Sequence, residues 1–130
     1  MLEKNPKKVK LAIKNFPLRN HKFAVKAAMA ALVAQGHGKF WEFHDRLFKN
    51  YDSLSHEKIK EIARELGLDE ATFEKGLKNP GLMARIRRDM QDGRNAGVEG
   101  TPTIFVNGKR LRKRSMEGFQ TLIDKELGKP

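Results

Sequence analysis

The chain has 130 residues, 38% of them hydrophobic and 33% charged, which is the size and composition of one globular domain. Its 27 lysine and arginine residues outnumber its 16 aspartate and glutamate residues, and the net charge of +11 favours encounters with anionic surfaces. It contains no cysteine, which excludes disulfides, zinc–thiolate sites and thiol chemistry by this polypeptide alone. No apolar run approaches the roughly 18 residues of a membrane span, and none follows Met1 as in a signal peptide.

Two elements are predicted near the start of the chain. Val9–Phe16 has the composition of a strand, and Pro17 ends it. Asn20 is a suitable N-cap for a helix that runs to about Gln35, where Gly36 ends it. The many alanines of this helix predict that it packs closely against a neighbour.

A second helix is predicted over Lys39–Asn50, because its apolar residues recur at helical spacing along one side. Its aromatic cluster consists of Phe40, Trp41, Phe43 and Phe48. Such a cluster is compatible with a ligand groove, but an aromatic stripe on a helix is more often part of a core. We therefore interpret it as core.

Three further helices are predicted before residue 97, each from a residue that favours a helix start. These residues are Ser55, Asp69 and Pro80. Five helices in succession exceed what a single crossover between two strands needs. Some of them are therefore expected to form a helical subdomain.

A β-hairpin is predicted after these helices. Thr103–Val106 is β-branched and aromatic, as in a buried strand, and Asn107-Gly108 supplies the two residues that a type I′ turn requires. A second strand should return through Lys109–Leu111. Pro102 cannot donate to a sheet ladder, so it belongs at the entry to the first strand. A last helix should follow, capped by Ser115.

The sequence supports no catalytic residue, no metal site and no cofactor site. The four histidines have no metal-ligand spacing, and no cysteine can assist them; they are His21, His37, His44 and His56. No serine has the context of a nucleophile elbow. The glycines near residue 100 precede a hairpin and not a helix, so they do not form a phosphate-binding loop.

The densest basic run is Lys109–Arg114. It is compatible either with a solvated face or with a nucleic-acid site. No aromatic residue interleaves with it as a stacking platform for bases. We therefore interpret it as a solvated face and do not expect nucleic acid as a partner.

Three stretches of this sequence together resemble one known family. VEGTPTIFVNG at 98–108 resembles the cis-proline loop and hairpin of the DsbA-like thiol:disulfide oxidoreductases, a branch of the thioredoxin fold. VKLAIKNFPL at 9–18 resembles the second core strand of that family, and GKFWEFHDRLF at 38–48 resembles the start of its inserted helical domain. The first strand and the Cys-x-x-Cys helix of the family have no counterpart here.

The resemblance implies an α/β, thioredoxin-like fold with an inserted helical subdomain. As given, the chain would be predominantly helical and would be one incomplete domain, missing the first strand and first helix. Residues 1–19 and 98–130 would form the thioredoxin core part, and residues 20–97 would form the helical insertion and connecting helices.

The resemblance also implies a binding site. In the family, the loop before the cis-proline pairs through its main chain with an extended or unfolded polypeptide substrate. Carried over, the substrate-binding residues are Gly100, Thr101 and Pro102. Because no cysteine is present, this loop is expected to bind without reacting.

The missing strand has a structural consequence. In the resembled fold it lies between Val9–Phe16 and Thr103–Val106, so its absence leaves two unpaired strand edges. Three repairs are open: direct antiparallel pairing of these two strands, completion by a second copy, or completion by a segment of a longer protein. We expect direct pairing or self-association.

Three functions remain open. The first is the C-terminal part of a DsbA-like thiol:disulfide oxidoreductase that acts on exported proteins, in an oxidising compartment such as the periplasm. The second is a redox-inactive peptide-binding module. The third is a basic nucleic-acid-binding protein. We rank them in that order.

Overall fold

The computed structural model describes residues 5, 7–18, 22–112 and 114–128. These residues form six α-helices, one 3-10 turn and one two-stranded antiparallel sheet. In chain order the elements are α1 (Ala24–Gln35), α2 (Phe40–Lys49), the 3-10 turn (Tyr51–Ser53), α3 (His56–Glu65), α4 (Glu70–Leu77), α5 (Pro80–Asn95), β1 (Phe105–Val106), β2 (Lys109–Arg110) and α6 (Met116–Glu126).

The chain divides into two compact units. Lys14–Gly97 forms the helical unit, with α1 to α5. Met1–Ile13 together with Val98–Pro130 forms the hairpin unit, with β1, β2 and α6. None of the helices that the structure describes combines the length and apolarity needed to cross a membrane.

The predicted helix starts at Ser55, Asp69, Pro80 and Ser115 are confirmed. The Ser55 hydroxyl accepts a hydrogen bond from the backbone N–H of Lys58, and the Ser115 hydroxyl accepts one from Gly118, both at 3.0 Å. Each side chain thereby pairs one of the N–H groups that have no partner inside the first helical turn. The proposed cap Asn20 lies outside the described residues, and α1 begins later than predicted, at Ala24.

The core of the helical unit forms where α1, α2, α3 and α4 meet. Its largest fully buried side chains include Phe43 of α2 and Phe73 of α4, whose rings stack with centroids 5.9 Å apart. Ala30 and Ala34 of α1 are completely buried. The small α1 side chains let neighbouring helices approach closely, as their number in the sequence predicts.

The hairpin has the predicted turn. Asn107 and Gly108 have φ values of 49° and 80°, so both adopt the left-handed conformation that a type I′ turn needs. Phe105 pairs with Arg110, and Val106 pairs with Lys109. The first strand is shorter than predicted and comprises only Phe105 and Val106, although the carbonyl oxygen of Ile104 still accepts the Leu111 N–H at 2.8 Å.

The predicted strand at Val9–Phe16 is wrong, and so is its direct pairing with Thr103–Val106. Residues 9–18 form neither helix nor strand. The described part of the hairpin unit offers one sheet, in which β1 pairs only with β2. A strand needs a partner for its backbone groups, and a strand-like composition does not supply one.

Candidate functional site

The three predicted binding residues share one cleft of the hairpin unit. Gly100, Thr101 and Pro102 line a space of about 390 Å³. Thr101 and Pro102 are exposed to solvent. The other lining residues are Thr103, Ile104, Arg110, Leu111, Arg112 and Arg114.

The loop around Pro102 is held by two side chains. The Thr103 hydroxyl donates a hydrogen bond to the carbonyl oxygen of Gly100 at 2.7 Å. The Arg114 guanidinium donates one to the carbonyl oxygen of Pro102 at 2.9 Å. Between these two tethers, the Thr101–Pro102 peptide bond is cis.

Thr101 carries the open main-chain groups of this loop. Within the described residues, neither its N–H nor its carbonyl group has a hydrogen-bond partner. Thr101 as a whole is exposed to solvent. An N–H and a carbonyl group on one residue are what the backbone of an extended peptide pairs with.

The electrostatic character of the cleft is positive. Its lining includes three arginines and no carboxylate. Arg110, Arg112 and Arg114 are exposed, and none forms an ion pair within the described part of the chain. A guanidinium remains charged throughout the physiological pH range, so the positive charge does not depend on titration.

The interpretation of the basic run as a solvated face missed this convergence. Three of its arginines share the cleft of the predicted peptide loop, whereas Lys109 approaches Glu126 at 2.7 Å and Lys113 lies outside the described residues. The hairpin predicted from the sequence already implied that these arginines lie beside the Pro102 loop. Pairing Phe105 with Arg110 brings the residues after Arg110 alongside the residues before Phe105.

A second feature of the hairpin unit is a groove of about 330 Å³ with a mixed polar and apolar lining. One wall is Lys8–Ala12, and the other is Ile104–Asn107, which contains β1. Phe119 and Ile123 of α6 also line it. We call this space the strand groove, because one wall is the strand β1, which has a sheet partner on one side only among the residues that the structure describes.

The aromatic face of α2 departs from the prediction. Phe43 is fully buried, but Trp41 is 46% exposed and Phe48 is 66% exposed, so the assignment of these two side chains to the core is wrong. His44 lies among them, with ring centroids 5.5 Å from Trp41 and 4.7 Å from Phe48. A helical stripe wider than the contact surface of its neighbours leaves its flanks in solvent.

No metal-binding arrangement is found in the part of the chain that the structure describes. Groups of three or more histidine, cysteine, aspartate or glutamate side chains close enough to hold an ion are absent there. His21 lies outside the described residues.

A family comparison and a structural comparison both identify this chain as thioredoxin-like. The sequence matches the family described as thioredoxin over residues 2–125. In the solved structures, the fold is similar to a thioredoxin-like oxidoreductase from Silicibacter pomeroyi DSS-3, with a TM-score of 0.75 and 25% identity. That match covers 90% of this chain and 68% of the other.

Relatives that match in sequence include proteins named as Na(+)/H(+) antiporters. The chain is 37% identical over 95 residues to the Na(+)/H(+) antiporter NhaA of Herminiimonas arsenicoxydans, a match that covers 73% of this chain and 15% of that protein. It is also 37% identical over 103 residues to the Na(+)/H(+) antiporter NhaA 3 of Salinispora tropica. That match covers 78% of this chain and 16% of the relative. The chain thus spans about a sixth of the length of these relatives.

Proposed function

Since this chain belongs to the thioredoxin family, in its DsbA-like oxidoreductase branch, and has a thioredoxin-like fold, we propose that it is the polypeptide-binding part of a thiol:disulfide oxidoreductase. Its partner is an extended or unfolded polypeptide, and its place of action is an oxidising compartment such as the periplasm, where disulfides of exported proteins are made or rearranged. Gly100, Thr101 and Pro102 form the binding loop.

The observation that supports this proposal most is the hydrogen bonding of the Thr101 main chain. Its N–H and carbonyl groups are unpaired within the described residues, while the residues on either side are tethered by Thr103 and Arg114. A rigid loop that presents one free donor and one free acceptor pairs with an extended chain at low entropic cost. Main-chain pairing of this kind makes little demand on the sequence of the substrate.

The chain contributes binding and no electron transfer. Disulfide exchange needs a thiolate that attacks a disulfide sulfur, and this polypeptide has no cysteine. The sulfur atoms of the reaction would therefore be supplied by another polypeptide segment. A redox-inactive peptide-binding module is the alternative, and it uses the same loop.

The proposal is tested by peptide binding. A labelled, cysteine-free unfolded polypeptide is titrated with the chain, and fluorescence anisotropy gives the dissociation constant. Pro102→Ala frees the φ angle that proline fixes near −65°, so the loop is less ordered and we expect binding to weaken by about fivefold or more. Pro80→Ala, in the helical unit, is the matched control and should bind like the wild type. Equal binding by both variants would contradict the proposal.

We also propose that two copies associate through the strand groove. Leu11 and Ile13 are each 40% exposed on a segment that is neither helix nor strand, so each copy presents apolar side chains close to a groove that its own residues line. Adding a strand to the side of β1 that has no sheet partner within the described residues would pair backbone groups of that edge.

Sedimentation velocity over a range of concentrations tests this association. We expect Leu11→Asp to shift the chain toward monomer, while Val25→Asp, at an apolar residue of similar exposure in the helical unit, should not. A wild-type chain that stays monomeric up to about 100 µM would overturn the association.

A further inference from the structure

We propose that the cleft at Thr101 and Pro102 selects extended polypeptide segments that carry carboxylate side chains. This inference rests on the proposed function of the same loop, and it names the class of substrate. Its basis is the placement of three arginines beside the peptide-binding backbone of Thr101.

Two arginines of the returning chain flank a buried residue. Leu111 is 6% exposed, and its N–H donates to the carbonyl oxygen of Ile104 at 2.8 Å, which continues the hairpin pairing beyond Arg110. Arg110 and Arg112, on either side of the buried Leu111, are both exposed to solvent. Both line the cleft with their charges unpaired within the described residues.

The third arginine is already oriented by the loop. Arg114 uses one Nη1–H for the carbonyl oxygen of Pro102 at 2.9 Å. A guanidinium has five N–H donors in a planar fork, so most of its donors remain open to an acceptor in the cleft. A carboxylate is the acceptor that this fork matches best, in bidentate geometry.

The geometry of an extended peptide determines which of its side chains reach the cleft. A peptide whose backbone pairs with Thr101 presents every second side chain to the same side. Asp or Glu residues at alternate positions would therefore present their carboxylates together on the side of the peptide that faces the arginines. No lining residue carries a carboxylate that would repel such a ligand.

Nucleic acid is a poorer fit for the same charges. Binding of single-stranded nucleic acid combines a positive groove with aromatic side chains on which bases stack. The lining of this cleft contains no aromatic residue. The main-chain N–H and carbonyl groups of Thr101 match the acceptor and donor of a peptide backbone, whereas the phosphodiester linkage of nucleic acid offers acceptors and no donor for the carbonyl group.

The test uses the full chain and three labelled probes. Two are cysteine-free extended peptides of equal length, one with Glu at alternate positions and one with Gln at the same positions. The third is a thymidine oligonucleotide. We expect the Glu peptide to bind about tenfold more tightly than the Gln peptide at low salt, and the ratio to fall as salt rises.

Variants that each remove one positive charge test which arginines bind the acidic peptide. Arg112→Gln should weaken binding of the Glu peptide by about three- to tenfold and leave the affinity for the Gln peptide unchanged. Arg110→Gln is a second, independent test, and it should likewise weaken binding of the Glu peptide only. Arg88→Gln removes an equal charge from an exposed site in α5 and should change neither affinity.

The outcomes separate the two proposals. Equal affinity for the two peptides would overturn the acidic preference and leave the peptide site standing. No binding of either peptide would overturn both. An oligonucleotide that binds more tightly than the Glu peptide, and that loses affinity in Arg112→Gln, would overturn the polypeptide ligand in favour of nucleic acid.

Discussion

Gly76 of α4 lies directly against Val33 of α1. A Cβ atom at position 76 would be 2.8 Å from Val33 Cγ2 and 2.9 Å from Val33 Cγ1. Real Cβ atoms do not approach carbon this closely, and Val33 is only 7% exposed, so its side chain has little room to move. The absence of a side chain at position 76 is therefore what sets the distance between these two helices.

Gly76→Ala should destabilise the chain, although alanine normally stabilises a helix interior by about 1 kcal/mol relative to glycine. We expect a net loss of about 1–3 kcal/mol in the free energy of unfolding, because the overpacking exceeds the gain in helix propensity. Urea unfolding measures it. In the double variant with Val33→Ala the contact is relieved, so the two effects should be strongly non-additive. A more stable Gly76→Ala would contradict this packing.

Ser115→Ala should remove the N-cap of α6. The hydroxyl accepts the Gly118 N–H at 3.0 Å, and loss of such a cap costs about 1 kcal/mol. Ser115→Asp keeps an acceptor at the same position and should stay close to the wild type in urea unfolding. If both variants unfold alike, the cap contributes nothing measurable.

Asp69 should give the chain a specific acid sensitivity. The hydroxyl of Thr72 donates to its carboxylate at 2.8 Å and the Thr72 N–H donates at 3.0 Å, and these bonds lower the pKa of Asp69. A depressed folded-state pKa means that the carboxylate form stabilises the folded state. This contribution is complete above the unfolded pKa of about 3.9 and is lost as the pH falls through the folded value.

Thermal unfolding of the wild type and Asp69→Asn between neutral pH and about pH 2 tests this sensitivity. The asparagine keeps a cap but does not titrate. The difference between the two proteins should therefore shrink or reverse on acidification, since only the wild type loses a charged cap. A difference that is constant with pH would rule out Asp69 as the source.

The chain alone should show no thiol–disulfide exchange. An insulin-reduction assay in the presence of dithiothreitol measures this, with a reaction that lacks the chain as the baseline. Because the reaction requires a thiolate and the chain has no cysteine, the rate should equal that baseline. Turnover above it would refute the assignment of a binding role without electron transfer.

Local chemistry made much of this fold predictable. Ser55, Asp69 and Ser115 act as caps through side chains that reach N–H groups within three residues, and Asn107-Gly108 forms its turn through the conformations of those residues themselves. Such features depend on neighbours in sequence. They can be predicted without knowledge of the rest of the molecule.

Features that depend on distant neighbours could not be predicted in the same way. Val9–Phe16 has strand-like residues, but its state depends on whether another strand lies beside it. Trp41 and Phe48 are spaced like core residues, and their exposure depends on how far the neighbouring helices extend. The candidate cleft lies between these cases: Thr101 and Pro102 were predicted from the family resemblance, whereas their arginine neighbours emerge from the register of the hairpin.

The exposure of α2 gives this protein its own optical reporter. Trp41 is the single tryptophan of the sequence, it is 46% exposed, and its ring meets Phe40 edge-on at 5.1 Å. All indole emission therefore originates from one solvent-facing position in the helical unit. A molecule that settles on the aromatic face of α2 would shield that indole from iodide quenching, so the protein signals occupancy of this face without an added dye.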